Sequence, residues 1–181
     1  MDWIEKKVKD IGGTHKSNIA IKRIISPKDF EARHKISLDQ DFCDFIEELG
    51  FSDFNEWIKT TTADQIPIYS SRVCDYHKIY GFGEGEQSID HLIDLTDQLI
   101  NSDSYIPFAE GASGDYICIS IIPESKGKIF YMHHESDDED DLYLVADSIR
   151  DFFNNSFKDD QNNNDISGDI ISGDFIDDYL D

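Results

Sequence analysis

His133 and His134 are followed by Glu135, Asp137 and Asp138, so imidazole and carboxylate groups of the kind that ligate divalent metals fall within a few residues. Consecutive side chains on a strand point to opposite faces, which would keep the two histidines from sharing one ion. The run Asp137-Asp138-Glu139-Asp140-Asp141 imitates the start of a calcium loop, but counted from Asp137 the sixth residue is Leu142 rather than Gly and the twelfth is Ser148 rather than Glu. Its carboxylates repel one another unless something positive is nearby. Gly81-Phe82-Gly83-Glu84-Gly85 lacks the spacing and the Lys-Ser/Thr pair of a phosphate loop, and Glu84 would repel phosphate, so it reads as a turn. Cys74, beside Asp75 and near His77, is the one thiol placed for a nucleophile and base, yet no oxyanion donor or orienting group accompanies it. Cys43 and Cys118 lie in apolar surroundings and read as small core residues. No catalytic residue, metal or cofactor is expected.

The charge balance gives a stronger signal. Sixteen Lys and Arg stand against 39 Asp and Glu, for a net charge of −23 in 181 residues. That excess argues against nucleic acid or an anionic membrane as partner, because each phosphate contact needs a neutralising cation. A basic protein is the natural complement. Residues 1–35 hold nine basic and five acidic side chains, whereas beyond Met132 sixteen acids face only Arg150 and Lys158. Three cysteines without close spacing, an N-terminus lacking a secretory apolar run and the absence of any long apolar stretch point to a soluble cytoplasmic protein.

The elements that must position these groups follow from periodicity. Ile4, Val8 and Ile11 predict an opening amphipathic helix stopped by Gly12-Gly13, and Ser17 to Ile25 reads as a weak strand. Ser26-Pro27-Lys28-Asp29 is a helix start, with the helix running to about His34. Ser37 with Gln40 resembles a capping box ahead of Phe42, Phe45, Ile46 and Leu49, and Gly50 ends that helix. Phe54, Trp57 and Ile58 continue at helical spacing, Ile66 to Tyr69 suggests a brief strand, and Ile89 to Ile100 traces another helix face.

Tyr105 to His133 is the most strand-like region. Tyr105 to Phe108 reads as an edge strand because Pro107 cannot donate to a ladder, and Gly111 to Gly114 as a turn. Asp115 to Ile122 and Lys128 to His133 form a hairpin around Pro123 to Gly127. Leu142, Val145, Ala146, Ile149, Phe152 and Phe153 share a helical face that should cover the sheet. Phe42, Phe45, Trp57, Phe130, Phe152 and Phe153 are expected in the core, whereas Trp3, Phe175 and Tyr179 lack a burial partner within their own segments. From about Asn154 the chain turns polar and reads as linker, followed by the repeat Ile166-Ser167-Gly168-Asp169 and Ile171-Ser172-Gly173-Asp174.

Tyr105-Ile106-Pro107-Phe108-Ala109, Gly114-Asp115-Tyr116, Gly127-Lys128-Ile129-Phe130-Tyr131, His133-His134-Glu135 and Ala146-Asp147-Ser148-Ile149-Arg150-Asp151-Phe152 occur in the order and with the gaps of the SMI1/KNR4 family, also called the SUKH superfamily, which the chain resembles. Ile36 to Gly50 is similar to the family's opening helix. Asp39 stands where that pattern has proline, Glu135 where it has aspartate, and 60–88 has no clear counterpart. The resemblance implies an α+β fold, an antiparallel sheet flanked by helices, and roles as toxin-neutralising immunity proteins or regulatory scaffolds, none of which requires catalysis.

The expected organisation is a helix and strand over 1–25, a SUKH domain over 26–157 and an acidic tail over 158–181. The expected function is non-enzymatic: an immunity protein that binds a cationic toxin domain, a nuclease for instance, and blocks its cleft. Glu110, Asp115, Glu135, Asp137, Asp138, Glu139, Asp140 and Asp141 are the expected partner-facing residues. A scaffold recruiting proteins through the acidic tail is the alternative, and a metal-dependent hydrolase built on His133 and His134 a more remote one.

Overall fold

The computed structural model describes residues 2–14, 23–96, 101–134 and 142–158. The expected Ser17 to Ile25 strand falls mostly outside them, as do the acidic run 135–141 and the tail from 159 onward.

Helix α1 (Asp2–Asp10) buries Ile4, and Ile11 just past its end joins the same core. A left-handed pair, Gly12 and Gly13, stops it at φ 101° and 76°. Helix α2 (Pro27–His34) starts as expected, with the Ser26 hydroxyl accepting the Asp29 N–H at 3.2 Å. Helix α3 (Gln40–Leu49) is capped by Asp39 rather than Ser37: the Asp39 carboxylate accepts the Phe42 N–H at 3.2 Å. The Ser37 hydroxyl instead accepts from the Lys126 ammonium at 2.9 Å. Either side chain suits a cap, and the choice is made by which one sits next to the first helical turn. Helix α4 covers Ile89–Thr96 and helix α5 Ile149–Asn154, the latter capped by Ser148.

A two-residue pair, β1 (Arg23–Ile24) with β4 (Gly83–Glu84), stands apart from the main sheet. That sheet is formed by β2 (Ser52–Thr61), β3 (Val73–Ile79), β5 (Tyr105–Glu110), β6 (Tyr116–Ser120), β7 (Ile129–Met132), β8 (Leu142–Ala146) and β9 (Ser156–Lys158). Its order is β8-β7-β6-β5-β3-β2-β9, with every neighbouring pair antiparallel. The connection after β2 folds back onto the far edge: Ala63 and Asp64 donate their N–H groups to the Val145 and Leu144 carbonyls at 3.0 and 2.9 Å. The Asp64 carboxylate accepts the Leu144 N–H at 2.8 Å in return. The sheet therefore curls almost onto itself.

Four expectations are corrected here. Phe54, Trp57 and Ile58 lie on strand β2, where Phe54, Ile58 and Thr60 point inward and Trp57 is 43% exposed. Ile66 to Tyr69 is a turn, not a strand. Leu142 to Phe153 splits into strand β8 and the short helix α5, because an apolar face of either period fits the same residues over so short a stretch. Asn154 onward is not linker at once: β9 adds an edge strand to β2.

The fourth strand of the seven, β5, is central despite Pro107. Its ladder to β3 reaches only Ala109 and Glu110, and on the β6 side a register shift falls between Pro107 and Ala109. These irregularities accommodate a residue with no N–H inside a sheet.

The helices bring aromatic rings onto the concave face. Phe42 meets Phe108 edge-on at 5.3 Å, Phe45 meets Phe153 at 5.0 Å and Tyr76 meets Phe152 at 5.1 Å. Each such pair adds about 0.5–1.5 kcal/mol beyond the area it buries. Phe130, expected in this core, lies half-buried against Tyr105. Trp3 finds in space the partners its own segment lacks, Phe45 and Phe153.

Candidate functional site

Asp115 enters β6 from the 3-10 turn Ala112–Gly114 and is 1% exposed. A buried carboxylate is stable only when donors surround it, and three do. One oxygen accepts the His134 backbone N–H at 3.0 Å and lies 2.7 Å from His134 Nδ1. The other accepts the Tyr131 hydroxyl. The His134 ring donates to the first oxygen in the tautomer that carries its hydrogen on Nδ1.

Tyr131 continues the network. Its oxygen is 3.3 Å from that of Tyr69, which donates to Asp75 at 2.9 Å, and Asp75 also accepts the Ala112 N–H at 3.2 Å. Two carboxylates and two phenols thus link the turn after β2, strand β3, the entry to β6 and strand β7. Burial first, then the bond to Asp115, pushes the Tyr131 phenol far up, and burial does the same for Tyr69. Both phenols stay protonated and act as donors. The network is built to hold position: it pins His134, the last described residue before the acidic run.

Glu110, at the end of β5, is bound by Tyr80 at 2.7 Å and by the Lys78 ammonium at 3.1 Å. Burial alone would raise its pKa, but these hydrogen bonds and the Lys78 charge outweigh burial and lower it. Glu110 is thus a part-exposed carboxylate with its own cation. Of the eight acids expected at a partner surface, it is the described one that reaches solvent. Asp115 lies beneath that surface, and Glu135 and Asp137 to Asp141 fall outside the described residues.

The same geometry bears on the thiol and metal readings. Cys74 is fully buried, and burial, followed by the Asp75 charge, raises its thiol far above the usual range. Along β3, Cys74 and Tyr76 point into the core while the ring of His77 lies against Trp57 on the other face at 4.3 Å. The Cys74–His77 pairing that the sequence analysis set aside is divided by the strand. His133 and His134 do not obey strand alternation, because β7 ends at Met132; their rings sit 5.6 Å apart. With Asp115 they form a group of potential ligands whose atoms lie within 4.8 Å of one another. An ion bound through His134 Nδ1 would take the place of that nitrogen's hydrogen bond to Asp115. The Gly81 to Gly85 segment, expected as a turn, carries strand β4 paired with β1, and the turn follows it at 86–87 after Gly85 at φ 103°.

Periodicity could not find the Tyr69, Asp75, Tyr131 and Asp115 network, since two of its members in direct contact, Tyr69 and Tyr131, are 62 positions apart. Among the described residues, no helix is long and apolar enough to cross a membrane. No curated protein is significantly similar to the chain. A model of the SMI1 / KNR4 family (SUKH-1) matches residues 25–155. That span takes in α2 to α5 and the whole sheet apart from the last strand, with the buried Asp115 and the curled β-core at its centre; the chain belongs to the SMI1/KNR4 (SUKH-1) family.

Proposed function

We propose that the protein is a non-enzymatic immunity-type protein that binds a cationic toxin domain and occupies the cleft which that domain uses for a phosphate-bearing substrate. The observation that carries this reading is a SUKH-1 domain joined to a net charge of −23. The contacting acids are Glu110 at the end of β5 and Glu135, Asp137, Asp138, Glu139, Asp140 and Asp141 after β7. Asp115 serves them from below, by fixing His134 where the acidic run departs. Charge complementarity speeds encounter by roughly 10- to 1,000-fold at low salt, and apolar contacts slow release.

The test is capture of the partner from the native host, followed by co-expression. A basic toxin domain whose growth inhibition is relieved by this chain is the expected result. Replacing Asp137, Asp138, Asp140 and Asp141 by Asn and Glu139 by Gln should slow association and flatten its salt dependence. Protection that fails, or an association rate unchanged by these substitutions and by salt, overturns the proposal. Removing 159–181 should leave protection intact; its loss would favour the scaffold reading.

A further inference from the structure

Asp115, His133 and His134 each offer one ligand atom, and the three atoms lie within 4.8 Å of one another. Atoms that close share a point no more than about 2.8 Å from each of them, against about 2.0–2.2 Å for a zinc bond to nitrogen or oxygen. One pair is already formed. A carboxylate oxygen of Asp115 stands 2.7 Å from His134 Nδ1, and a tetrahedral ion would part the two only to about 3.3 Å. Two imidazoles on such an ion have ring centres about 5 Å apart, and those of His133 and His134 are 5.6 Å apart. The end of β7 at Met132 permits this, because a continued strand would send the two rings to opposite faces. The groups that orient a ligating carboxylate are also in place: Tyr131 donates to the other oxygen of Asp115, and the His134 backbone N–H holds the first. Asp115 is buried while both histidines are part-buried, so the anchor is fixed and the imidazoles remain open to solvent. A net charge of −23 raises the concentration of cations around the chain.

We propose that Asp115, His133 and His134 form a binding site for one divalent transition-metal ion, with zinc as the best fit. Two imidazoles and one carboxylate suit zinc, whereas calcium and magnesium take oxygen ligands. The ion takes His134 Nδ1 and the adjoining Asp115 oxygen, the hydrogen of the His134 ring passes from Nδ1 to Nε2, and a ring nitrogen of His133 gives the third bond. Water completes the coordination. The ion ties the entry of β6 to the turn after β7. None of the acids assigned to contact with a toxin takes part, so the inference does not rest on that reading.

The test is calorimetric titration of the full chain, freed of any affinity tag and of metal, with zinc chloride. One saturable site per chain is expected, with a rise in the thermal midpoint as it fills. His133→Gln should weaken zinc binding at least about tenfold, whereas His91→Gln on α4 should leave it within about twofold. Calcium and magnesium in large excess should not compete. Proton–nitrogen correlation spectra of the histidine rings supply a readout on the unsubstituted chain: His134 should carry its hydrogen on Nδ1 without metal and on Nε2 with zinc. Absence of a saturable site, undiminished affinity in His133→Gln, equal loss in His91→Gln, or a His134 ring that zinc leaves unchanged each overturns the proposal. Displacement of zinc by calcium also overturns it, since that places the ion on carboxylates alone.

Discussion

Tyr131 is a phenol whose hydroxyl supports a buried carboxylate, and the cost of removing it is the cost of leaving Asp115 short of a donor. Tyr131→Phe should destabilise the fold by about 1–3 kcal/mol, measured by urea unfolding at neutral pH. A loss below a few tenths would mean that Asp115 draws its stability from elsewhere. Glu110 gives a pH-dependent counterpart. Its folded pKa lies below the ordinary 4.5, so its contribution is complete above that value and is lost as pH falls through the folded value. Glu110→Gln should therefore flatten stability against pH on the acid side of about 4.5. A variant whose acid limb matches the parent's would show that the Lys78 and Tyr80 contacts contribute nothing. Neither network is readable from spacing, since Lys78 and Glu110 meet only through strand register.

At the scale of elements, α3 joins a good beginning to a poor end. Asp39 caps the first turn, so Asp39→Ala should cost about 0.5–2 kcal/mol. Glu47 opposes the dipole, and Glu47→Gln should raise the thermal midpoint, a gain of about 0.3–1 kcal/mol at low salt. Calorimetry of the two variants should thus give shifts of opposite sign; a fall in both midpoints would remove the argument that Glu47 is held against stability. The heart of α3 was legible beforehand, because Phe42, Phe45 and Ile46 repeat at helical spacing and all three are buried. Trp57 misled for the converse reason: Phe54 and Ile58 are four apart, a separation that a strand places on one face just as a helix does.

For the whole molecule, net charge governs behaviour more than any single pair. At −23 the folded chain repels itself, so moderate sodium chloride should raise the thermal midpoint by screening that repulsion. A midpoint that falls as salt is added would mean that local ion pairs such as Lys78 with Glu110 dominate. The β9 strand offers a second global test. Tyr76 donates to Ser156 at 2.9 Å within the core, and Ser156 donates in turn to the Phe152 carbonyl at 2.9 Å. Ending the chain before Ser156 should therefore destabilise the domain, although the family match closes at residue 155.

Composition, helix caps and the order of short motifs were enough to determine the α+β class, the family and the acidic character, because these depend on local propensity and on charge, which no folding rearranges. Tertiary structure decided the rest. Strand or helix at Leu142 and at Phe54, the central place of β5, the burial of Asp115 and the meeting of α1, α3 and α5 around Trp3 all depend on contacts between distant segments, whose pairing energy exceeds the small local preferences that sequence alone displays.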